Sequence, residues 1–101
     1  MPEPIRVAAV NEIPPGEGRQ FETANEPIAV FNVGGEFHAI GGTCPHAGGP
    51  LGEGTLNGTC LTCPWHAWNY DVTTGKCLTV PTRSVPKYEV KVEAGEVIVF
   101  V

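Results

Sequence analysis

The sequence predicts an all-β fold, and three observations support this class. Short stretches rich in β-branched and aromatic residues recur along the chain. The 13 glycines and 10 prolines among 101 residues supply many turns and leave little room for long helices. The period of an amphipathic helix is scarce among the apolar residues. A chain of this length supports one modest core, so we expect a single domain over residues 1–101.

The outer parts of the chain contain the clearest strand patterns. The predicted strands are residues 5–10, 27–33, 36–40, 87–92 and 96–101. Two of them flank Gly34-Gly35 and two flank the stretch EAGE, which are patterns of tight hairpins. After the first strand, IPPGEGRQ predicts a loop at 13–20. Together these strands predict an antiparallel base in the form of a small sandwich or barrel.

The middle of the chain has a different composition. Residues 41–58 hold seven of the 13 glycines, and Asn57-Gly58 predicts a further hairpin. We therefore expect a loop-rich subdomain at about 42–80, inserted into a base made of residues 1–41 and 81–101. The strands at the two ends of the chain would have to pair across this insertion.

Two stretches within the insertion combine cysteine with histidine. TCPHAGGPL (43–51) contains Cys44 and His46, and TCPWHAWNYD (62–71) contains Cys63 and His66. A zinc finger usually presents two cysteines first and two histidines later, often on a helix. Here each stretch offers one thiolate and one imidazole. This pattern suits a [2Fe–2S] cluster in which one iron takes both thiolates and the other both imidazoles.

With these two motifs, C-x-H and C-x-x-H sixteen residues apart, the sequence resembles the Rieske [2Fe–2S] family. The resemblance implies one cluster, with Cys44 and Cys63 on the inner iron and His46 and His66 on the outer iron near the surface. It also implies the family's fold, an antiparallel β base with an inserted cluster-binding subdomain. A structural zinc site that uses the same four residues is the alternative.

Residues around the four ligands suit a cluster. Glycines let backbone N–H groups approach bridging sulfide, apolar side chains exclude water, and a proline begins a third covering loop in the family. The candidates for these supporting roles are Gly48, Gly49, Leu51, Trp65, Trp68, Tyr70 and Pro81. Family members of high potential carry a serine where this chain has Trp68, and a tyrosine where it has Tyr70. We therefore expect a potential toward the low end of the Rieske range, with Tyr70 donating to a cysteine sulfur.

The sequence also narrows the class of Rieske protein. Gly49 and Trp65 stand where quinol-oxidising members carry a disulfide, and only His38 is left to build the mononuclear iron site of an oxygenase subunit. The chain is thus predicted to be an electron carrier rather than an enzyme, passing electrons from a reductase to a terminal ring-hydroxylating oxygenase. The alternatives are a nitrite reductase small subunit or similar relay component, and a zinc-stabilised binding module.

Charge and cysteine content set further expectations. A formal charge of −5 argues against nucleic acid and suits a redox partner with a basic patch, docking near His46 and His66. No apolar run or leader pattern predicts a membrane span or secretion, so we expect a cytoplasmic protein without a small-molecule substrate. Cys60 and Cys77 are interpreted as small buried residues, with a mutual disulfide left open.

Overall fold

Ten β-strands make up the fold in the part of the chain that the computed structural model describes, residues 3–23, 26–44, 49–64 and 67–101. The strands are β1 (Pro4–Ala9), β2 (Gly18–Phe21), β3 (Ile28–Val33), β4 (Glu36–Gly41), β5 (Thr55–Asn57), β6 (Cys60–Thr62), β7 (Asn69–Asp71), β8 (Lys76–Cys77), β9 (Lys87–Glu93) and β10 (Glu96–Phe100). Short 3₁₀ turns occur at Val10–Glu12, Leu51–Glu53 and Pro81–Arg83. Among these residues there is no α-helix, and so none that is long and apolar enough to cross a membrane.

Six strands form an antiparallel sheet in the order β1-β10-β9-β4-β3-β2. Both predicted hairpins of this sheet are confirmed. Gly34 and Gly35 turn between β3 and β4 with φ of 59° and 97°, and Ala94 and Gly95 turn between β9 and β10 with φ of 52° and 77°. Two successive residues at positive φ match the twist of the flanking strands, which explains the glycines at these turns.

The two ends of the chain meet within this sheet, as expected. β1 runs antiparallel to β10, with Ile5 opposite Val99, and β4 runs antiparallel to β9, with Ala39 opposite Tyr88. Residues 42–86 leave the sheet after β4 and return to it at β9. The base thus holds both ends of the segment that carries the two Cys/His motifs.

The predicted loop at 13–20 was wrong at its end, because β2 begins at Gly18 and pairs with β3. Its sequence, GRQF, has no β-branched residue and so no strand pattern. The strand forms because of its neighbour: a Cβ on Gly18 would lie 2.2 Å from the Phe31 ring, so only glycine lets the two strands pack here. Tertiary contact, rather than propensity, determines this strand.

A core enclosed by the six-stranded sheet shows that the sheet curls on itself. Buried residues from β1 and β10 at one end of the sheet pack in one cluster with residues from β3 and β4 near the other end. The members of this cluster are Ala8, Ile13, Ile28, Val30, Ala39, Val97 and Val99. A curled antiparallel sheet with one internal core confirms the predicted all-β base.

The remaining four strands form a smaller antiparallel sheet in the order β5-β6-β7-β8. Gly58 lies in the turn between β5 and β6, which confirms the hairpin predicted from Asn57-Gly58. This sheet packs on the base through a second core, in which Phe31 and Ile40 of the base join Leu61 and Tyr70 of the small sheet. Both predicted cysteine ligands belong to this second core.

Tyr88 on β9 gives the base a pH-dependent contact with the loop before β3. Burial, and a hydrogen bond that its hydroxyl donates to Glu26, raise the pKa of Tyr88 to about 12 from the ordinary 10.0. A phenol with a raised pKa stabilises the fold fully below pH 10, and this contribution is lost as the pH rises through 12. We expect wild type to unfold at a higher temperature than Tyr88→Phe at pH 8 and this gap to shrink steadily between pH 10 and 12. Thermal unfolding of both proteins across this range measures the gap, and a gap of constant size would contradict the assignment.

Candidate metal centre

Cys44 lies in a loop that leaves the base after β4, here called the first loop (residues 42–52). Backbone contacts close this loop on both sides of its tip. The Cys44 N–H donates to the Gly49 carbonyl at 2.9 Å, Thr43 and Pro50 form a β-bridge, and the Leu51 N–H donates to the Gly42 carbonyl at 2.9 Å. The backbone on both sides of Cys44 is therefore held in place.

Cys63 lies in the second loop (residues 62–69), which joins β6 to β7. The Cys63 N–H donates to the Trp68 carbonyl at 2.7 Å, and the Thr62 hydroxyl donates to the Asn69 side chain at 2.9 Å. Ala67 has φ of 58°, in the left-handed region that a non-glycine residue seldom adopts. Ala67 adopts this unusual conformation directly before Trp68, whose carbonyl binds the Cys63 N–H.

Tyr70 on β7 connects the small sheet to the first loop. Its side chain is fully buried, and its hydroxyl lies 3.2 Å from the Cys44 sulfur. Burial and the contact with Cys44 raise the pKa of Tyr70, so the hydroxyl keeps its proton. Since a thiolate has no proton, the hydroxyl is the donor whenever Cys44 is ionised. The expected approach of Tyr70 to a cysteine sulfur is thus present in the structure.

The surroundings of the two cysteines are apolar and closed to water. Cys44 is 1% exposed and Cys63 2% exposed. They share a core with other buried side chains, and Trp68 and Val80 pack against it from the half-buried layer. The other buried members are Ala29, Phe31, Ile40, Leu51, Leu61, Tyr70, Val72, Cys77 and Val85. Two thiolates at such a site would carry a large desolvation cost without a bound cation.

The predicted supporting residues can be placed in part. Leu51 and Tyr70 lie in the core of the two cysteines, Gly49 is bonded to Cys44, and Trp68 is bonded to Cys63. Pro81 begins the 3₁₀ turn Pro81–Arg83.

The other predicted site residues, His46, His66, Gly48 and Trp65, lie outside the described residues. Within the described ranges no three side chains of His, Cys, Asp or Glu gather to hold a metal ion. The four-residue ligand set therefore stays a prediction.

The two additional cysteines differ from each other. None of the four cysteines forms a disulfide, and Cys77 is fully buried as predicted. The interpretation of Cys60 as buried was wrong, because it is only half-buried. In β6 successive side chains point to opposite faces, and Leu61 takes the inward face next to Cys60.

Two side chains that the sequence did not predict hold the chain after β8. The Cys77 sulfur accepts the Val80 N–H at 3.3 Å, and the Thr79 hydroxyl accepts the Asn69 N–H at 2.9 Å. These contacts attach the segment before Pro81 to the small sheet and to the end of the second loop. No motif in the sequence marks either residue, because each contacts a backbone group, which any neighbouring residue could supply.

Comparison with known proteins agrees with the predicted cluster and with the all-β fold. The model of the Rieske [2Fe-2S] domain matches residues 3–89. The 3-phenylpropionate/cinnamic acid dioxygenase ferredoxin subunit of Escherichia coli K12 is 38% identical over 97 residues, which are 94% of this chain and 91% of the relative.

Solved structures agree as well. A chain in the complex of reduced oxygenase and oxidized ferredoxin of carbazole 1,9a-dioxygenase superposes with a TM-score of 0.88 at 35% identity, over 96% of this chain and 92% of the other. A Mycobacterium tuberculosis protein described as an NADH-dependent nitrite reductase small subunit gives a TM-score of 0.90 at 24% identity, over 100% and 96%. At that identity the second likeness concerns the fold alone.

The described residues fit the cofactor that this domain implies, a single [2Fe–2S] cluster. Thiolates are the protein ligands of such clusters, and Cys44 and Cys63 are two buried thiols of one apolar core. The Tyr70 hydroxyl beside Cys44 supplies the kind of hydrogen bond that cluster sulfurs accept. With the match over residues 3–89 and the fold shared with Rieske ferredoxins, the chain belongs to the Rieske [2Fe-2S] domain family.

Proposed function

We propose that this chain is a one-electron carrier that passes electrons from a reductase to a terminal oxygenase of the ring-hydroxylating type. One observation carries the proposal: a dioxygenase ferredoxin subunit resembles the chain at 38% identity over nearly the full length of both proteins. The cluster supplies the one-electron redox chemistry, and reactions on a substrate belong to the partner.

In this proposal the protein holds and tunes its cofactor through a few residues. Cys44 and Cys63 bind one iron, and His46 and His66 bind the other. Leu51 and Trp68 keep water away from the thiolates, while Tyr70 donates to the Cys44 sulfur. Gly48, Gly49, Trp65 and Pro81 complete the surroundings. The burial of both cysteines supports this arrangement.

A nitrite reductase small subunit is the second candidate, because a protein so described shares the fold at a TM-score of 0.90. Its identity of 24% is well below the 35% of the chain from the carbazole 1,9a-dioxygenase complex. The difference in identity favours the oxygenase system.

We further propose that the redox partners dock on the surface near His46 and His66. The outer iron of the family lies closest to the surface there, and an electron leaves most easily by the shortest path. A formal charge of −5 suits partners with a basic patch. The structure in which a related ferredoxin occurs together with an oxygenase supports a direct complex.

We also propose that the protein is located in the cytoplasm. Thiols are kept reduced in that compartment, which suits cysteines that bind a metal.

The arrangement of the two sheets supports a division of the chain into a base and a subdomain. We propose one Rieske domain over residues 1–101, with a base of residues 1–41 and 81–101 and a cluster-binding subdomain at about 42–80. All six strands of the large sheet lie within the proposed base, and all four strands of the small sheet lie within the proposed subdomain.

Spectra and electron delivery test the function directly. The purified protein is expected to be red-brown, to contain iron and sulfide in equal amounts, and to accept one electron with an EPR signal that appears on reduction. The reduced protein is then mixed with a ring-hydroxylating oxygenase or with a siroheme nitrite reductase, and its reoxidation is followed by visible absorbance. Faster oxidation by the oxygenase is expected; faster oxidation by the nitrite reductase would favour the second candidate. A colourless, zinc-containing protein would overturn both.

A further inference from the structure

The side chain of Gln20 holds both ends of the first loop. Its Nε2 donates to the Gly42 carbonyl at 2.8 Å, and its Oε1 accepts the Gly52 N–H at 2.8 Å. Gly42 precedes Cys44 by two residues, and Gly52 follows the tip of the loop. One amide therefore bonds to the chain before and after the segment that carries a predicted cluster ligand.

The two glycines that Gln20 contacts leave no room for a side chain. A Cβ on Gly42 would lie 2.5 Å from the Gln20 Nε2. A Cβ on Gly52 would lie 2.4 Å from the Gln20 backbone nitrogen and 2.5 Å from the Arg19 carbonyl carbon. Glycine at both positions thus allows the loop to approach β2 closely enough for both hydrogen bonds.

The first loop passes this restraint on to Cys44 through its own backbone. The Gly42 carbonyl that Gln20 binds also accepts the Leu51 N–H, and the next bridge, between Thr43 and Pro50, leads to the Cys44–Gly49 hydrogen bond. Three successive contacts across the loop, Gly42–Leu51, Thr43–Pro50 and Cys44–Gly49, therefore connect the Gln20 amide to Cys44. The Cys44 sulfur in turn lies beside the Tyr70 hydroxyl.

Gln20 belongs to the base, which gives the restraint a fixed support. β2 is the last strand of the six-stranded sheet, where Gln20 pairs with Ala29 of β3. The 3₁₀ turn Leu51–Glu53 lies against β2 with Gly52 at the contact. The base therefore positions the first loop through a side chain as well as through the continuation of β4.

From these contacts we propose that Gln20 is a positioning residue for the cluster, which sets the place of Cys44 relative to the Tyr70 hydroxyl. This inference rests on the proposed function, since it requires Cys44 to be a ligand. Without the Gln20 amide, the ends of the first loop separate more easily, the contact between Cys44 and Tyr70 weakens, and bound iron is lost sooner.

The test uses Gln20→Met, which keeps the length of the side chain and removes both hydrogen bonds. With iron chelator present, the visible absorbance of Gln20→Met is expected to decay roughly 30-fold faster than that of wild type, as follows from the loss of two ordinary hydrogen bonds. Its reduction potential is expected to fall, by less than in Tyr70→Phe, and to change little when the substitution is made in the Tyr70→Phe background.

Two controls separate positioning from general stability. Arg19→Ala removes a bond from the neighbouring residue of β2 to the Glu12 carbonyl. Asn32→Ala removes a buried amide that also joins two backbone segments, at Ile13 and Gly35, within the base. Both controls are expected to keep the wild-type potential and the wild-type rate of absorbance loss, at temperatures where each is folded by circular dichroism.

Two results would overturn the inference: a wild-type potential in Gln20→Met, or loss of absorbance no faster than in Asn32→Ala. In either case the wild-type protein still carries its cluster, so the proposed function stands. A wild-type protein without an iron–sulfur spectrum would instead overturn the proposed function, and this inference with it.

Discussion

Replacing Cys63 with alanine is expected to abolish the visible absorbance of the protein, whereas replacing Cys77 with alanine should leave it at the wild-type level. Both side chains are buried, at 2% and 0% exposure, in the same apolar core. Each substitution deletes one sulfur from a packed site at a cost on the order of 1 kcal/mol, and Cys77→Ala also removes the acceptor of the Val80 N–H. The two variants therefore differ mainly in the loss of a predicted ligand.

Iron content per chain and the visible spectrum measure this difference, with unfolding midpoints as the control for packing. Cys60→Ala serves as a second control, because it removes a half-buried cysteine that lies outside the predicted site. It should keep its iron and its visible spectrum, as Cys77→Ala does. A Cys63→Ala protein that keeps its iron, or a Cys77→Ala protein that loses it, would show that the ligand set was assigned wrongly.

Local turn chemistry explains why most of the fold was predictable. The hairpins at Gly34-Gly35 and at Ala94-Gly95 need positive φ, and the glycines that tolerate it are visible in the sequence. β2 was missed because its formation depends on Phe31 packing over Gly18, a contact between residues far apart in the chain. Periodicity and propensity describe single segments and carry no information about such pairs.

The candidate site also contains residues that the sequence predicts and residues that it does not. Cys44 and Cys63 were recognisable because ligand chemistry restricts the residue types and the spacing of the two motifs. Gln20 and Thr79 were not, since their partners are backbone atoms 10 or more residues away in the chain. Nor was the role of Cys77, whose partner is a backbone N–H. Any residue can present a backbone carbonyl or N–H, so a sequence alone does not reveal which side chain will meet it.

The first loop is rich in glycine for more than one structural reason. The glycine-rich composition predicts a backbone fitted to approach cluster sulfide, with Gly48 and Gly49 as the main examples. The structure assigns Gly42 and Gly52 a different task, since their missing side chains let the loop meet Gln20. The absence of a Cβ at these two positions thus contributes to the support of the loop, while the role of glycine at its tip stays a prediction.

Tyr70→Phe is expected to lower the reduction potential by up to roughly 40 mV. A reduced cluster is more negative than an oxidised one, so a donor 3.2 Å from the Cys44 sulfur stabilises the reduced form more strongly. A hydrogen bond contributes about 1 kcal/mol net, and a tenfold change in a one-electron equilibrium corresponds to about 59 mV. The wild-type potential is expected near the low end of the Rieske range, which begins at about −150 mV, since Trp68 has no hydroxyl to offer.

Tyr88→Phe is the matched control, because its hydroxyl donates to Glu26 in the base and not to a cysteine. Voltammetry of wild type and both variants, each with an intact visible spectrum, measures the effect. An unchanged potential in Tyr70→Phe would mean that the hydroxyl only fills space between the small sheet and the first loop. An equal fall in Tyr88→Phe would attribute the change to loosening of the whole domain. A fall in Tyr70→Phe alone would establish that one buried hydroxyl, held by β7 against the first loop, tunes the electron affinity of the carrier.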